Sequence, residues 1–216
     1  MFYIRGECMA LRFEIFKESD FEDLRYLEDC QNKNEEIIII LRNDIEFSHE
    51  FRPLNLFGYT VIFKGKHHTL SNITIMNHHN IDGTKDVAGM FSMVKNLYVN
   101  NLNINKSYIY EGQVSGTLAG EVEEELLIDK CNFQNLVVNS EAYCGGVAGV
   151  ANNATIRDSY ISSHVYGIDV VGGVVGMSRS YTEIDSNNTS EIIGIGKCLG
   201  EKVGYTDRKN IRTLNR

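Results

Sequence analysis

The 216-residue chain reads as an all-β protein: a right-handed, single-stranded parallel β-helix with a short N-terminal α-helical cap. Two observations predict this. First, a small-residue phrase, Cys144-Gly145-Gly146-Val147-Ala148-Gly149, returns as Val171-Gly172-Gly173-Val174-Val175-Gly176. Looser copies are Ser115–Gly120, Val87–Ser92 and a decayed Leu199–Gly204. The copies end at positions 92, 120, 149, 176 and 204, in steps of 28, 29, 27 and 28 residues, and a near-constant period in this range marks stacked repeats. Second, each phrase is followed by short β-branched or apolar runs broken by Asn, Ser and Gly, which is strand chemistry and poor helix chemistry. Such strands can pair in parallel from coil to coil and bury a column that no single coil could bury alone.

The phrase supplies glycines where the chain turns corners, with φ > 0 and close backbone approach as the expected reasons. Downstream, Leu97, Ile128, Ile156 and Ile184 form an expected apolar column, with Leu102, Phe133, Ile161 and Thr189 five positions further on. Asn100, Cys131, Ser159 and Asn187 form a small polar column between them. Tyr98, Asp129, Arg157 and Asp185 point outward, so that Arg157 pairs with both aspartates. The fifth phrase carries Glu201 and Lys202 in place of Gly and an apolar residue, as suits an end rung open to water.

Residues 1–36 are read as an initial strand and cap, and 37–216 as the repeats, in one structural domain. Residues 10–18 alternate apolar and polar and predict the strand. Ser19 or Asp20 offers a helix N-cap, and Phe21, Leu24 and Leu27 an apolar stripe that would cover the open first rung. Ile37–Leu41 reads as a buried strand, 54–75 as one or two further rungs, Asn77–Asp86 as a loop, and Ile211 as part of a last strand. Met1–Cys8 and every later segment lack a long apolar run, so the expectation is a cytoplasmic protein without a membrane span, with Met9 a second candidate start.

Two upstream segments carry a family likeness. Leu41-Arg42-Asn43-Asp44-Ile45 is similar to a Leu-Thr-Asn-Asp-Ile opening strand. The run Phe63-Lys64-Gly65-Lys66-His67-His68-Thr69-Leu70-Ser71-Asn72-Ile73-Thr74-Ile75 is similar to Phe-Asp-Gly-Asn-Gly-His-Thr-Ile-Ser-Asn-Leu-Thr-Ile. With the glycine phrases, these resemble the GLUG-motif proteins, bacterial IgA-peptidase-type and adhesin-type repeat domains. The resemblance implies a right-handed β-helix scaffold over about Ile37–Gly204 and no reaction. Lys64, Lys66 and His67 depart from it.

Chemistry-bearing residues are sparse. Five cysteines form no CxxC, and their columns read as buried reduced thiols, which suits a reducing compartment. His67-His68 and His78-His79 are the one candidate metal constellation, and the reading is that they hold none. Asp129 and Asp185, two rungs or ~9.6 Å apart, approach the spacing of an inverting carboxylate pair. An Arg157 clamped between them would depress both pKa values, contrary to what a general acid needs. No catalytic residue and no cofactor is therefore expected.

Charge is uneven. Glu14–Glu50 holds twelve acidic and four basic residues, and the chain as a whole is −8. An acidic chain without a basic, aromatic-interleaved stripe is not a direct nucleic-acid binder. The functional reading is a non-enzymatic protein-binding β-helix, of phage or mobile-element type, that blocks host nucleic-acid machinery through an acidic surface. The candidate partner-binding residues are Glu22, Asp23, Glu28 and Asp29 on the cap, with Glu121, Glu123, Glu124 and Glu125 on a solvated turn. A fragment of a surface adhesin, or a polysaccharide-active enzyme, is the alternative. The β-helix ends are the expected place for contact between copies.

Overall fold

The computed structural model describes residues 10–30, 35–76, 86–110, 112–194 and 198–206, and the backbone alone of 211–213. The expected loop from Asn77, His78 and His79 included, lies outside these residues apart from Asp86, as do Met1, Cys8 and Met9.

The chain winds into a parallel β-helix with three faces, and among the described residues every strand pair is parallel. The first face stacks Leu11–Ile15, Glu36–Leu41, Leu54–Lys64, Phe91–Asn100, Ala119–Asp129, the start of Ala148–Gly167, and Val175–Asn188. The second stacks Ile45–Glu46, Thr69–Met76, Asn103–Tyr110, Asn132–Ser140, the end of Ala148–Gly167, and Glu191–Gly194. The third is narrow: Val87–Ala88, Val114–Ser115, Tyr143–Gly145, Val170–Gly172 and Cys198–Gly200.

Two inward columns make the core of the first face. One runs Ile37, Val61, Leu97, Leu126, Ala154, Thr182, and the other Ile39, Phe63, Val99, Ile128, Ile156, Ile184. All are buried, and each large apolar member contributes about 1.5–3 kcal/mol by leaving water. Leu97 thus belongs one column away from where its spacing predicts, and Val99 stands in its place beside Ile128. On the second face Ile104, not Leu102, pairs with Phe133, and Asn188, not Thr189, pairs with Ile161. The first two arise because Leu97 lies opposite Leu126, two positions short of Ile128, and the third from a β-bulge with one residue inserted between Arg157 and Ser159. A β-bulge between Val122 and Glu125 lengthens one strand against both neighbours, and others fall between Leu56 and Thr60 and opposite Ala151–Asn153.

The bend column is Leu102, Cys131, Ser159 and Ser186. Cys131 N–H donates to Ser159 Oγ at 3.0 Å, Tyr160 N–H to the Cys131 carbonyl at 2.9 Å, and Ser159 pairs with Ser186. Asn100 and Asn187 fall to either side of it, opposite Asp129 and Tyr160.

The glycines work differently from the expectation. Among the described glycines only Gly58 has a positive φ. The corners are turned by Asn101, Lys130 and Asp158 (φ 49°, 52° and 46°), and a second left-handed column is Asn72, Lys106 and Asn135 (φ 58°, 62° and 54°). Asn and Asp tolerate this region through local hydrogen bonding. The repeat glycines instead make room for backbone. A Cβ on Gly145 would meet the Ala148 carbonyl oxygen at 2.0 Å, and one on Gly173 the Glu201 carbonyl oxygen at 2.1 Å.

Leu11–Ile15 pairs in register with Ile37–Leu41, so the initial strand is itself a rung. The cap after it, Glu18–Leu27, is a 3₁₀ helix rather than an α-helix. Its apolar residues explain why: Phe21, Leu24 and Leu27 recur every third position, the 3₁₀ period, and all three are fully buried. The N-cap is Lys17, not Ser19 or Asp20. Asp20 Oδ2 instead reaches back to accept the N–H groups of Phe16 (2.8 Å) and Lys17 (3.1 Å). Phe21 closes an aromatic cluster with Phe47 and Phe51, ring centroids 5.4–5.8 Å apart. At the opposite end the strands Cys198–Gly200 and Val203–Thr206 contain no fully buried residue.

Candidate functional site

The cap holds its outer carboxylates on a fixed support. Burial of Phe21, Leu24 and Leu27 orients the helix and turns Glu22, Asp23 and Asp29 to solvent. Glu22 Oε2 accepts from Arg25 Nε at 2.6 Å, which holds its carboxyl below the ordinary range. Glu28 behaves differently from its neighbours. Its side chain is only 17% exposed, accepts the Asn55 N–H at 2.9 Å, and lies 3.6 Å from Arg25 and 3.7 Å from Arg52. It ties the cap to the rung beneath and is not free for a partner. Arg25 adds bonds to the carbonyls of Arg52 (2.8 Å) and Pro53 (3.3 Å). Burial works to raise Glu18, but donors from Ser48 and His49 outweigh it and lower its pKa.

The second acidic stretch is not a protruding turn. Glu121–Glu125 lies inside the strand Ala119–Asp129 and spans its bulge. Glu121 is 7% exposed and accepts from Arg179 at 2.6 Å, two rungs away. Glu125 accepts the Tyr98 hydroxyl at 2.9 Å, and its N–H donates to Asn96 Oδ1 at 3.1 Å. Burial, with Glu121 and Glu124 nearby, raises the Glu123 pKa. Glu124 alone of the four is exposed, 3.8 Å from Lys95. The bulge explains the run: it bends the strand outward and puts carboxylates on consecutive outward positions that regular alternation forbids.

The expected Asp-Arg-Asp ladder is not formed. Arg157 reaches diagonally to Glu183 at 3.7 Å, and Asp129 pairs with Lys130 at 3.8 Å. Residues 129, 157 and 185 do stack in register, as the spacing predicts. Asp185 lines a feature that the sequence reading missed, a polar cleft of about 680 Å³ at the corner between the first and second faces. Lys130, Asn132, Tyr160, Asn188 and Lys202 also line it. Its signal lay in the left-handed Lys130 and Asp158, which open the corner and are not recognisable as such by residue type.

Of the described cysteines, all free, two are buried as expected and two, Cys30 and Cys198, only partly. Cys131 and Cys144 are buried free thiols whose pKa values burial pushes up, to about 12 for Cys131, so both stay protonated at neutral pH. His68 sits in the tight turn after Gly65, its Nδ1 3.2 Å from Asp44, which also accepts the Thr69 N–H at 2.8 Å. That carboxylate joins the two motif-bearing segments, and the Thr69 N–H lowers its pKa. Among the described residues no group of three or more His, Cys, Asp or Glu could hold a metal ion, and no helix is long and apolar enough to cross a membrane.

Compared with family models, with curated proteins and with solved structures, the chain matches none.

Proposed function

We propose that the protein is a non-enzymatic binding protein that engages a basic groove on another protein, of the kind that holds nucleic acid, through the acidic cap. The observation that supports this reading is the division of labour in the cap. Phe21, Leu24, Leu27 and Glu28 fix the helix, which leaves Asp23 and Asp29 outward on a support that does not need them, with Glu22 exposed beside them on its Arg25 partner. Such carboxylates attract a basic groove over about 8 Å at physiological salt, so they act mainly on association rate. The GLUG-like scaffold and the intracellular setting proposed from the free thiols are part of the same reading.

The test is a pull-down from native cells with the wild-type chain and with Glu22→Lys, Asp23→Lys and Asp29→Lys combined. Glu28 stays intact because its loss would free the cap. The expected result is a partner held by the wild type, weakened as salt rises and lost with the variant. A partner retained equally by the variant and at high salt would overturn the acidic-cap mechanism.

A further inference from the structure

The second face differs in chemistry from the acidic end. From Asn103–Tyr110 to Glu191–Gly194 its charged side chains are Lys106 and the pair His164–Glu191, 3.3 Å apart. Tyrosines and carboxamides occupy most of the other outward positions. Tyr108 and Tyr160 are 36% and 37% exposed, and the rings of Tyr108 and Tyr110 are parallel to within 1°, centroids 6.4 Å apart. Thr189 fixes the Tyr160 hydroxyl at 3.0 Å. Asn105, Asn132, Gln134 and Asn139 stand on the same surface. Two of them are already oriented by neighbours, Asn135 donating to Asn105 and Gln134 to Asn132, both at 2.9 Å. The register Asn132, Tyr160, Asn187 runs from this surface directly into the corner cleft, which those three residues also line.

We infer that this face and its cleft bind a neutral glycan. On the face itself near-absence of charge selects against an ionic ligand, and in the cleft the charges are mixed, Lys130 and Lys202 against Asp158, Asp185 and Glu201, so that it favours neither sign strongly. A carboxamide both donates and accepts hydrogen bonds, as a sugar hydroxyl does, and a row of them matches a row of hydroxyls. Tyrosine rings offer flat apolar surface to the C–H side of a pyranose, with a polar tip beside it. At about 680 Å³ the cleft falls within the range of small-molecule sites and can seat the end of a chain lying on the face.

The test is calorimetric titration of the full chain with cellohexaose, laminarihexaose and maltohexaose, with hexagalacturonate as the anionic probe. The expected result is saturable binding of at least one neutral hexasaccharide, insensitive to salt and stronger than that of hexagalacturonate. Tyr108→Ala and Tyr160→Ala should each weaken it by roughly tenfold, while Asp23→Lys leaves it unchanged. Circular dichroism and melting curves check the fold. If the tyrosine variants unfold, Asn139→Ala and Asn105→Ala, both at exposed positions, decide the matter by the same titration. Binding of none of the three neutral sugars would overturn the assignment, as would binding indifferent to all four substitutions. Should Tyr108→Ala abolish capture of a protein while no sugar binds, the face is a protein interface and the glycan assignment is wrong. Because the acidic-cap pull-down uses different residues and a salt dependence of the opposite kind, the two readings fail separately.

Discussion

The two ends of the solenoid are built from the same rung but finished in opposite ways. At the N-terminal end the 3₁₀ cap buries Phe21, Leu24 and Leu27 completely and packs against Phe47 and Phe51. At the C-terminal end Leu199 is 48% and Tyr205 41% exposed, and Val203 is only partly buried. The pairing registers are as regular there as elsewhere. Parallel pairing alone therefore does not bury a rung; a rung needs a covered neighbour on each side, as nearest-neighbour stacking requires. Stability should fall from the capped end toward the last coil.

The largest contrast comes from removing apolar bulk. Phe21→Ala should cost about 3–5 kcal/mol, since it opens a cavity under the cap, whereas Leu199→Ala should stay within about 0.5 kcal/mol. Urea unfolding of the two variants checks this, and equal losses would remove the distinction between the ends. Next come the corner glycines. A Cβ on Gly145 would meet the Ala148 carbonyl oxygen at 2.0 Å, and one on Gly200 the Val203 carbonyl oxygen at 1.8 Å. The local clash is the same, but interior rungs cannot shift and the last rung can. Gly145→Val should therefore lower stability by about 1–3 kcal/mol and Gly200→Val by clearly less, read from their melting curves.

How much of this was legible follows from the same residues. The third-face columns Val114, Tyr143, Val170 and Cys198 align as the repeat phrase predicts. The apolar stripe of the cap is visible too, but a stripe of three residues barely separates 3.0 from 3.6 residues per turn, so it does not distinguish a 3₁₀ from an α-helix. The bulges were not legible: one residue inserted between Arg157 and Ser159 sets Ile161 against Asn188 instead of Thr189, and no residue type announces it. Nor was the division of the acidic residues. Glu28 and Asp29 look equivalent in sequence, yet only the backbone N–H of Asn55, 27 positions away, turns one of them into a structural tie.

A smaller effect distinguishes the buried from the exposed acidic stretch. Arg179→Met should cost roughly 1–3 kcal/mol, because it strands Glu121 with a 10% exposed side chain. Asp23→Asn, at an exposed carboxylate, should be nearly neutral. Smallest is the pH effect at Glu14, whose pKa hydrogen bonds from Arg42 and Arg12 lower from 4.5 to about 2. A depressed carboxylate contributes stability that is fully present above its unfolded pKa and is lost as pH falls through the folded one. Glu14→Gln should therefore melt below the wild type at neutral pH, and the gap should close between pH 4.5 and about 2.

Native-state hydrogen exchange tests the gradient most directly, because it reads the opening free energy of each rung in the unmutated chain. The account predicts that amides in Glu36–Leu41, Leu54–Lys64 and Ala119–Asp129 exchange only through global unfolding. Those in Cys198–Gly200 and Val203–Thr206 should exchange through smaller openings that leave the capped end folded. Equal protection of the last coil and the capped rungs would contradict it.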